Sequence, residues 1–285
     1  MTDEQGARLW VARADLHSAR AVPDPDAPAA RQLAEGESRL RIHRFALTAN
    51  NITYAAFGDA MKYWQFFPSA DTAWGCIPVW GFAEVVESCA EGVNVGERCY
   101  GYWPMGRFLV VQPVRVKARG FVDGAAHRRD LAAVYNQIQR CAADPAYDPA
   151  MEGQQAILRP LFTTSFLIDD FLAESGFFGA RQVLLSSASS KTAYGTAFCL
   201  SRRRGEPGAP RIVGLTSAAN LGFCRALGCY DEVPAYDALG TLAGNTPSVY
   251  VDFAGTASLR RAIHEHFDEA LRYSCFSRVQ SSYVR

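Results

Sequence analysis

Strand and helix patterns alternate through the second half of the chain, and this order constrains the fold more than any other feature. Short apolar or β-branched runs predict strands at 182–187, 211–217, 248–255 and 271–275. Helical patterns follow the first three runs, at 189–205, 218–228 and 256–267. Because two strands joined through a helix pair in parallel, this alternation predicts a parallel sheet built of βαβ units.

The first half of the chain has a different pattern, which is rich in strands. Partly alternating segments predict strands at 40–48, 82–88, 97–103 and 108–116, separated by turn-like residues at 92–97 and 104–106. This pattern is typical of a compact antiparallel barrel or sandwich. A helix is then predicted at 125–143, a polar connector at 143–155 and a second helix at 161–175. We therefore expect a β-rich domain at 1–155 and an α/β domain at 156–285.

The composition excludes several classes of protein. With 49% hydrophobic and 20% charged residues among 285, it is that of an ordinary globular protein. A formal net charge of +0 gives no reason to expect a nucleic-acid partner or an acidic membrane surface. The first residues include acids and no apolar core, so no secretory signal is expected. No run approaches the roughly 18 apolar residues that predict a membrane-spanning helix.

Eight cysteines are scattered along the chain, and none forms a CxxC pair. Several lie in apolar segments, which favours reduced thiols packed in the core over a zinc ribbon or a disulfide framework. We therefore expect a cytoplasmic protein.

The stretch QVLLSSASSKTAYGTAFCLS (182–201) reads as a strand that turns directly into a helix. A helix start carries unpaired N–H groups and a partial positive charge, so it can bind a phosphate. The candidate binding residues in this turn are Ser187, Ser189, Ser190, Lys191 and Thr192. Ser and Thr are also the residues that cap ordinary helices, so the turn alone leaves both interpretations open. It lacks the glycines of a Walker A loop, and Ala188 occupies the serine position of an SxxK motif.

Several segments, in this order, resemble the medium-chain dehydrogenase/reductase superfamily, especially its zinc-free quinone-reductase-like branch. The segments are PVWGFAEVVESCAEGVNVGERCYGY (78–102), the turn at 182–201, RIVGLTSAANLGFCRALGCYDEV (211–233) and SVYVDFAG (248–255). More narrowly, ALTANNITYAAFGDAMKYWQFFP (46–68) and IPVWGFAEV (77–85) resemble the uncharacterised bacterial family that carries domain of unknown function 2855. The superfamily resemblance extends from about residue 40 to residue 275.

The resemblance implies a β-rich, GroES-like catalytic-type domain followed by a Rossmann-like nucleotide-binding domain. A Rossmann-like sheet has about six strands, and four are predicted here, so we expect this domain to be truncated near Cys275, with FSRVQSSYVR (276–285) as an unrelated tail. The usual dimer edge would then be missing, which places a homodimer in doubt. Where zinc-dependent members have Gly-His-Glu, this chain has Gly81, Phe82 and Ala83, so no zinc is expected.

The segment TANNITYAAFGDAMKYW (48–64) aligns with the region that lines the active site of zinc-free reductases. The polar residues it offers are Asn50, Asn51, Thr53, Tyr54 and Tyr63, of which the last four are the catalytic candidates. A Tyr hydroxyl can polarise a carbonyl or protonate an enolate, and Asn can hold the substrate oxygen. The alternative is that the tyrosines pack in a wall and the asparagines form turns.

The end of the second predicted strand bears on the choice of cofactor. NAD sites place an acid there, about 20 residues past the phosphate turn, to bind the ribose hydroxyls. Here that place is held by Thr216, Ser217 and Asn220, and no acid is present to repel a 2′-phosphate, so NADPH is expected rather than NADH.

Three functions remain open. The first is an NADPH-dependent, zinc-free oxidoreductase that acts on a small enone, quinone or carbonyl. The second is a nucleotide-binding protein of the same fold without turnover. The third, a hydrolase that uses a serine of the turn, lacks a GxSxG motif and a histidine partner.

Overall fold

The structure, a computed structural model, describes residues 5–276. Its backbone contacts divide into two compact units, Met1–Ile157 and Leu158–Arg285. The first unit holds the strand-rich half of the sequence, and the second holds the half in which strands and helices alternate.

The strands of the first unit form two antiparallel sheets. They are β1 (Ala7–Ala12), β2 (Ala19–Pro23), β3 (Ser38–Ala46), β4 (Trp74–Gly75), β5 (Pro78–Ser88), β6 (Arg98–Pro104), β7 (Phe108–Val111), β8 (Pro113–Lys117), β9 (Gly120–Asp123) and β10 (Gln137–Arg140). One sheet has the order β2-β1-β4, and the other has the order β7-β3-β5-β6-β10-β9-β8. The predicted run at 108–116 is therefore two strands, and the other three predicted strands are confirmed within a few residues.

Close contact between β3 and β5 depends on Gly81. A Cβ at this position would lie 2.1 Å from the carbonyl oxygen of Arg44 and 2.6 Å from the Cα of Phe45. Any other residue would push the two strands apart. Trp103 on β6 is fully buried beside them, and its indole N–H donates to the carbonyl oxygen of Gly81 at 2.8 Å. The point where β3 and β5 approach closely is thus also held by a buried hydrogen bond from β6.

The helix predicted at 125–143 is wrong. Short 3-10 turns occupy Ala126–Arg128, Ala133–Asn136 and Cys141–Ala143, and β10 lies between the second and the third. The segment contains six Ala, three Arg and two Gln, which favour helix locally. Pairing of β10 with both β6 and β9 buries Ile138 at the centre of the sheet and overrides that preference.

Two helices complete this part of the chain. The first, α1 (Ala49–Ala56), lies in the segment that the resemblance associates with the active site. The second, α2 (Glu152–Glu174), begins earlier than the predicted 161–175 and continues through Pro160 into the second unit.

The second unit contains a four-stranded parallel sheet with the order β12-β11-β13-β14. Its strands are β11 (Gln182–Leu185), β12 (Arg211–Gly214), β13 (Ser248–Asp252) and β14 (Leu271–Phe276). The helices that follow the first three strands are α3 (Lys191–Ser201), α4 (Leu221–Ala226) and α5 (Ala257–Phe267). The predicted parallel sheet and its four strands are therefore confirmed.

The central strands of this sheet are buried on both faces. Val183, Leu184 and Leu185 on β11 have no exposed surface, and the same is true of Val249, Tyr250 and Val251 on β13. Continuous burial of this kind requires cover on both sides of the sheet, which is typical of parallel sheets. It also explains why these strands appear in the sequence as short unbroken apolar runs.

Six of the eight cysteines are buried, which confirms that they serve as core residues; Cys89 is exposed and Cys275 is intermediate. Among the helices of residues 5–276, none has the length and apolar character needed to cross a membrane. Nearly all of the predicted tail lies outside the described residues.

Candidate functional site

The turn at 186–190 connects the carboxyl end of β11 to the first residue of α3. Ser187 has a φ of 49°, in the left-handed region that favours glycine. The hydroxyl of Ser190, at the N-cap, accepts a hydrogen bond from the Ala193 N–H at 3.4 Å. Ser190 therefore caps the helix, which is the role that the sequence leaves open beside phosphate binding. The chain therefore turns sharply from strand to helix with a serine in a conformation that glycine usually adopts.

Three backbone N–H groups at this helix start find no acceptor within residues 5–276. They belong to Ser189, Lys191 and Thr192. The side chain of Lys191 is exposed and forms no ion pair with any described residue. Unpaired N–H groups and the positive end of a helix attract an anion, and the ammonium group adds a full charge beside them. The turn can therefore hold a phosphate.

Tyr236, which the sequence analysis missed, lies against the same turn. Its hydroxyl oxygen accepts a hydrogen bond from the Ser187 N–H at 3.0 Å. Burial raises the pKa of Tyr236, so its hydroxyl keeps a proton that it can donate to a ligand. The available sequence signal was its position just after the 211–233 block, but only the fold brings it to residue 187.

A buried network fixes the turn to the end of β13. The hydroxyl of Ser186 donates to Asp252 Oδ1 at 3.0 Å and accepts from the N–H groups of Phe253 and Ala254 at 2.8 and 3.0 Å. Asp252 also forms an ion pair with Arg260 at 3.0 Å. Burial alone would raise the pKa of Asp252, but hydrogen bonds, first from the Gly255 N–H, lower it below its usual value. The carboxylate is therefore ionised and holds the two strand ends together.

The structure brings Ser189, Ser217 and Asn220 together at the end of β12. The amide nitrogen of Asn220 donates to the hydroxyl oxygens of Ser189 and Ser217, each at 3.2 Å. Ser217 is exposed and Asn220 is partly exposed, so both can reach a ligand. Thr216 is 1% exposed, and its carbonyl accepts from the Tyr236 N–H at 2.9 Å. Of the three residues predicted at this strand end, Thr216 is therefore the one that is buried in the core, where its backbone is bonded to Tyr236.

The two candidate tyrosines of the first unit belong to one aromatic cluster. The ring centroids of Tyr54 and Tyr63 are 4.7 Å apart, and the hydroxyls of Tyr63 and Tyr135 lie at 3.2 Å. The ring of Tyr102 packs edge-on against Tyr54, with the centroids 5.8 Å apart, and at a tilt of 34° against Tyr135, with the centroids 4.6 Å apart. Trp80 completes this group, which we call the tyrosine cluster: Tyr54, Tyr63, Trp80, Tyr102 and Tyr135. Tyr102 and Tyr135 were not among the predicted site residues.

The phenols of Tyr54, Tyr102 and Tyr135 are neutral at physiological pH. Burial raises the pKa of Tyr54 to about 12, against an opposing hydrogen bond from Trp80. Burial also raises the pKa values of Tyr102 and Tyr135 well above their usual range. A neutral phenol donates a hydrogen bond, so each of these hydroxyls can polarise a carbonyl but cannot act as a base near pH 7.

Asn51 and Thr53 lie on α1 in different surroundings. Asn51 is buried; its side-chain oxygen accepts from the Thr48 N–H at 2.7 Å, and its amide donates to the carbonyl oxygen of Pro78 at 2.9 Å. These bonds close a capping box and tie α1 to β5. Thr53 and its neighbour Asn50 are exposed on the helix.

Across residues 5–276, no cluster of three or more His, Cys, Asp and Glu side chains is placed to hold a metal ion. Phe82 and Ala83, which the resemblance places at the zinc-binding position of zinc-dependent members, are both fully buried in β5.

Solved structures with this fold include several reductases. A proposed NADPH:quinone reductase from Mesorhizobium loti aligns with a TM-score of 0.59 and 11% identity, over 93% of this chain and 72% of that one. CurA from Vibrio vulnificus, in complex with NADPH, aligns with a TM-score of 0.55 and 12% identity, over 95% and 71% of the two chains. TarJ from S. aureus, also with NADPH, aligns with a TM-score of 0.55 and 11% identity, over 94% and 69%. At such identities the likeness shows the fold, a GroES-like domain followed by a Rossmann-like domain, as in the medium-chain dehydrogenase/reductase superfamily.

Comparison with curated proteins finds no match. A family model described as "Protein of unknown function (DUF2855)" matches residues 45–280, which is most of the chain. The match includes α1, the tyrosine cluster and the turn at 186–190. The protein therefore belongs to the DUF2855 family, as its sequence predicts.

Proposed function

We propose that the protein is a zinc-independent, NADPH-dependent oxidoreductase that reduces a small enone, quinone or carbonyl compound by hydride transfer. The observation that carries the proposal is the helix start at 189–192, where three N–H groups have no acceptor and Lys191 has no ion-pair partner among residues 5–276. In this proposal the domain at 1–155 is the catalytic one and the domain at 156–285 binds the nucleotide. The enzyme works in the cytoplasm, where its thiols stay reduced.

The phosphates of the cofactor would be held by the turn. The N–H groups of Ser189, Lys191 and Thr192 supply donors, and the ammonium of Lys191 supplies charge. Ser187 and Ser190 have a different role, which is to shape the turn. The Ser187 N–H is bonded to Tyr236, and the Ser190 hydroxyl caps the helix. This division of roles supports binding without the usual glycines.

The group at the end of β12 supports NADPH over NADH. The donors there are the Ser217 hydroxyl and the Tyr236 hydroxyl, and both are neutral; the Asn220 amide already donates to Ser189 and Ser217. A carboxylate at this place would repel a 2′-phosphate, whereas these donors can bond to it.

The tyrosine cluster supports a role in substrate binding for Tyr54. Bound nicotinamide supplies the hydride, and the protein must orient the substrate and donate a hydrogen bond or proton to its oxygen. Tyr54 is only partly buried and keeps its proton up to about pH 12. Tyr63, whose hydroxyl is already close to that of Tyr135, and exposed Thr53 are the other donors in this segment. Asn51 supports the site through α1.

The test is a titration of the purified protein with NADPH and NADH, followed by nucleotide fluorescence, and then turnover with a panel of quinones and enones. We expect NADPH to bind at least tenfold more tightly than NADH and the wild-type protein to oxidise it. Tyr54→Phe should lower kcat while the NADPH dissociation constant stays unchanged. Absence of nucleotide binding at millimolar concentration would refute the proposal.

A second candidate is a nucleotide-binding protein of the same fold without turnover. The polar groups of Asn51 are both engaged within the protein, which favours this alternative. NADPH binding without oxidation by any quinone or enone of the panel would identify it.

A further inference from the structure

An apolar groove of about 330 Å³ lies in the second unit beside the turn. Its walls are formed by Leu158, Leu161 and Phe162 on α2, by Tyr194 and Phe198 on α3, and by Leu227 just after α4. This volume is within the range of small-molecule sites. The lining includes no acid, and its one charged residue is Lys191.

One side of the groove is bounded by a close approach of α2 and α3 at Ser165 and Gly195. A Cβ at Gly195 would lie 2.6 Å from Ser165 Oγ, so glycine is what allows this approach. The Ser165 hydroxyl also donates to the carbonyl oxygen of Thr192 at 2.9 Å, which ties the helices together. Next to this contact, Phe162 and Phe198 stand 46% and 50% exposed, with ring centroids 6.5 Å apart. The contact between the two helices is thus fixed, and the two phenylalanine rings beside it are half exposed to solvent.

Charge and shape together define what fits. The stem of Lys191 adds apolar surface, and its ammonium, which has no ion-pair partner in residues 5–276, lies at the start of α3. A ligand with an aliphatic chain and a single anionic end would bury the chain along the phenylalanines and pair its charge with the lysine. Large exposed apolar surfaces on soluble proteins mark binding sites.

We propose that this groove binds an aliphatic carboxylate, with the chain between α2 and α3 and the carboxylate on Lys191. The site is distinct from the proposed nucleotide site, although Lys191 borders both, and its binding is measured without nucleotide.

The experiment is calorimetric titration of the full chain, at low ionic strength, with decanoate and with decan-1-ol as the uncharged probe, both below their aggregation limits. We expect one decanoate per chain, bound at least about tenfold more tightly than decanol, because a charge-assisted hydrogen bond contributes at least one factor of ten. Octanoate should bind about tenfold more weakly than decanoate, since two fewer methylenes are buried.

Three variants localise the effect. Lys191→Met keeps the apolar stem and should remove the preference for decanoate over decanol. Phe198→Ser should weaken both ligands and leave NADPH affinity unchanged, which separates this site from the nucleotide site. Phe166→Ser is the matched control, because Phe166 is 51% exposed on α2 but lies outside the groove lining. This variant should bind decanoate and decanol with the same affinity as the wild type.

The proposal is overturned if decanoate does not bind, if the alcohol binds as tightly as the acid, or if Phe166→Ser weakens decanoate as much as Phe198→Ser does. The last result would indicate general adsorption to apolar surface.

Discussion

At the scale of single residues, Ser187 and Lys191 carry the chemistry of the turn by different means. Ser187 adopts a left-handed backbone conformation, which costs a non-glycine residue on the order of 1–3 kcal/mol where it is strained. The bond from its N–H to Tyr236 offsets part of that cost. Lys191 contributes a charge that no other described residue neutralises. Ser187 therefore sets the backbone conformation of the turn, and Lys191, four positions later, supplies its charge.

Lys191→Ala is expected to weaken NADPH binding about 10- to 100-fold. A charge-assisted hydrogen bond contributes roughly 1.5–3 kcal/mol, and about 1.4 kcal/mol corresponds to a factor of ten. The loss should shrink at high salt, because the side chain is exposed and its charge is screened. Fluorescence titration at two ionic strengths measures both effects. Helix stability should hardly change, since Ala is a good helix former. Equal dissociation constants for wild type and variant at low salt would mean that Lys191 does not contact the phosphate.

At the scale of elements, the ends of β11 and β13 behave as one unit because Asp252 connects them. Its carboxylate accepts from Ser186 and from the N–H groups of Ala254 and Gly255, and it pairs with Arg260 on α5. These bonds fix the turn at 186–190 relative to the end of β13. The helix start alone would not hold that position.

Asp252→Asn should lower the free energy of unfolding at pH 7 by about 1–3 kcal/mol, since buried donors lose an ionised acceptor. The folded-state pKa of Asp252 lies below its usual value, so its contribution is present above about pH 4 and is lost as the pH falls further. Urea denaturation of wild type and variant should therefore converge below pH 4. Asp237→Asn, at an exposed position, is the control and should be neutral. A difference that stays constant from pH 7 to pH 3 would contradict this account.

At the scale of the whole molecule, metal chemistry depends on whether ligand atoms converge, and within residues 5–276 no group of three or more His, Cys, Asp or Glu does so. Six cysteines are dispersed through the cores of the two units, and Phe82 and Ala83 stand where the resemblance to the superfamily places the zinc ligands of its zinc-dependent members. Structural and catalytic zinc sites need three or four such ligands in one place.

We therefore expect purified protein to contain far less than one zinc per chain, and a chelator to leave its melting temperature unchanged. Elemental analysis together with thermal denaturation measures both quantities. About one tightly held zinc per chain would show that ligands converge in a way the described residues do not.

The amino-acid sequence by itself determined the features that depend on local pattern. Short apolar runs predicted β11, β12 and β13, because a strand buried on both faces has few polar residues. The serine at the start of α3 was predictable because capping involves residues three positions apart. The order of these elements was sufficient to predict the parallel sheet, whereas the family was predicted from the resemblance of residues 46–68 and 77–85.

Features that depend on contacts between distant parts of the chain were decided only by the tertiary structure. The segment at 125–143 has helical residues, but pairing with β6 and β9 makes part of it a strand. Tyr236 reaches Ser187 across 49 positions, and Tyr135 meets Tyr63 across 72, so no local pattern could reveal either pair. Asn51 was a reasonable catalytic candidate by residue type, but its bond to Pro78, 27 positions away, ties it to the core. Side-chain chemistry can be read along a chain, whereas the availability of each group depends on which distant neighbours folding brings to it.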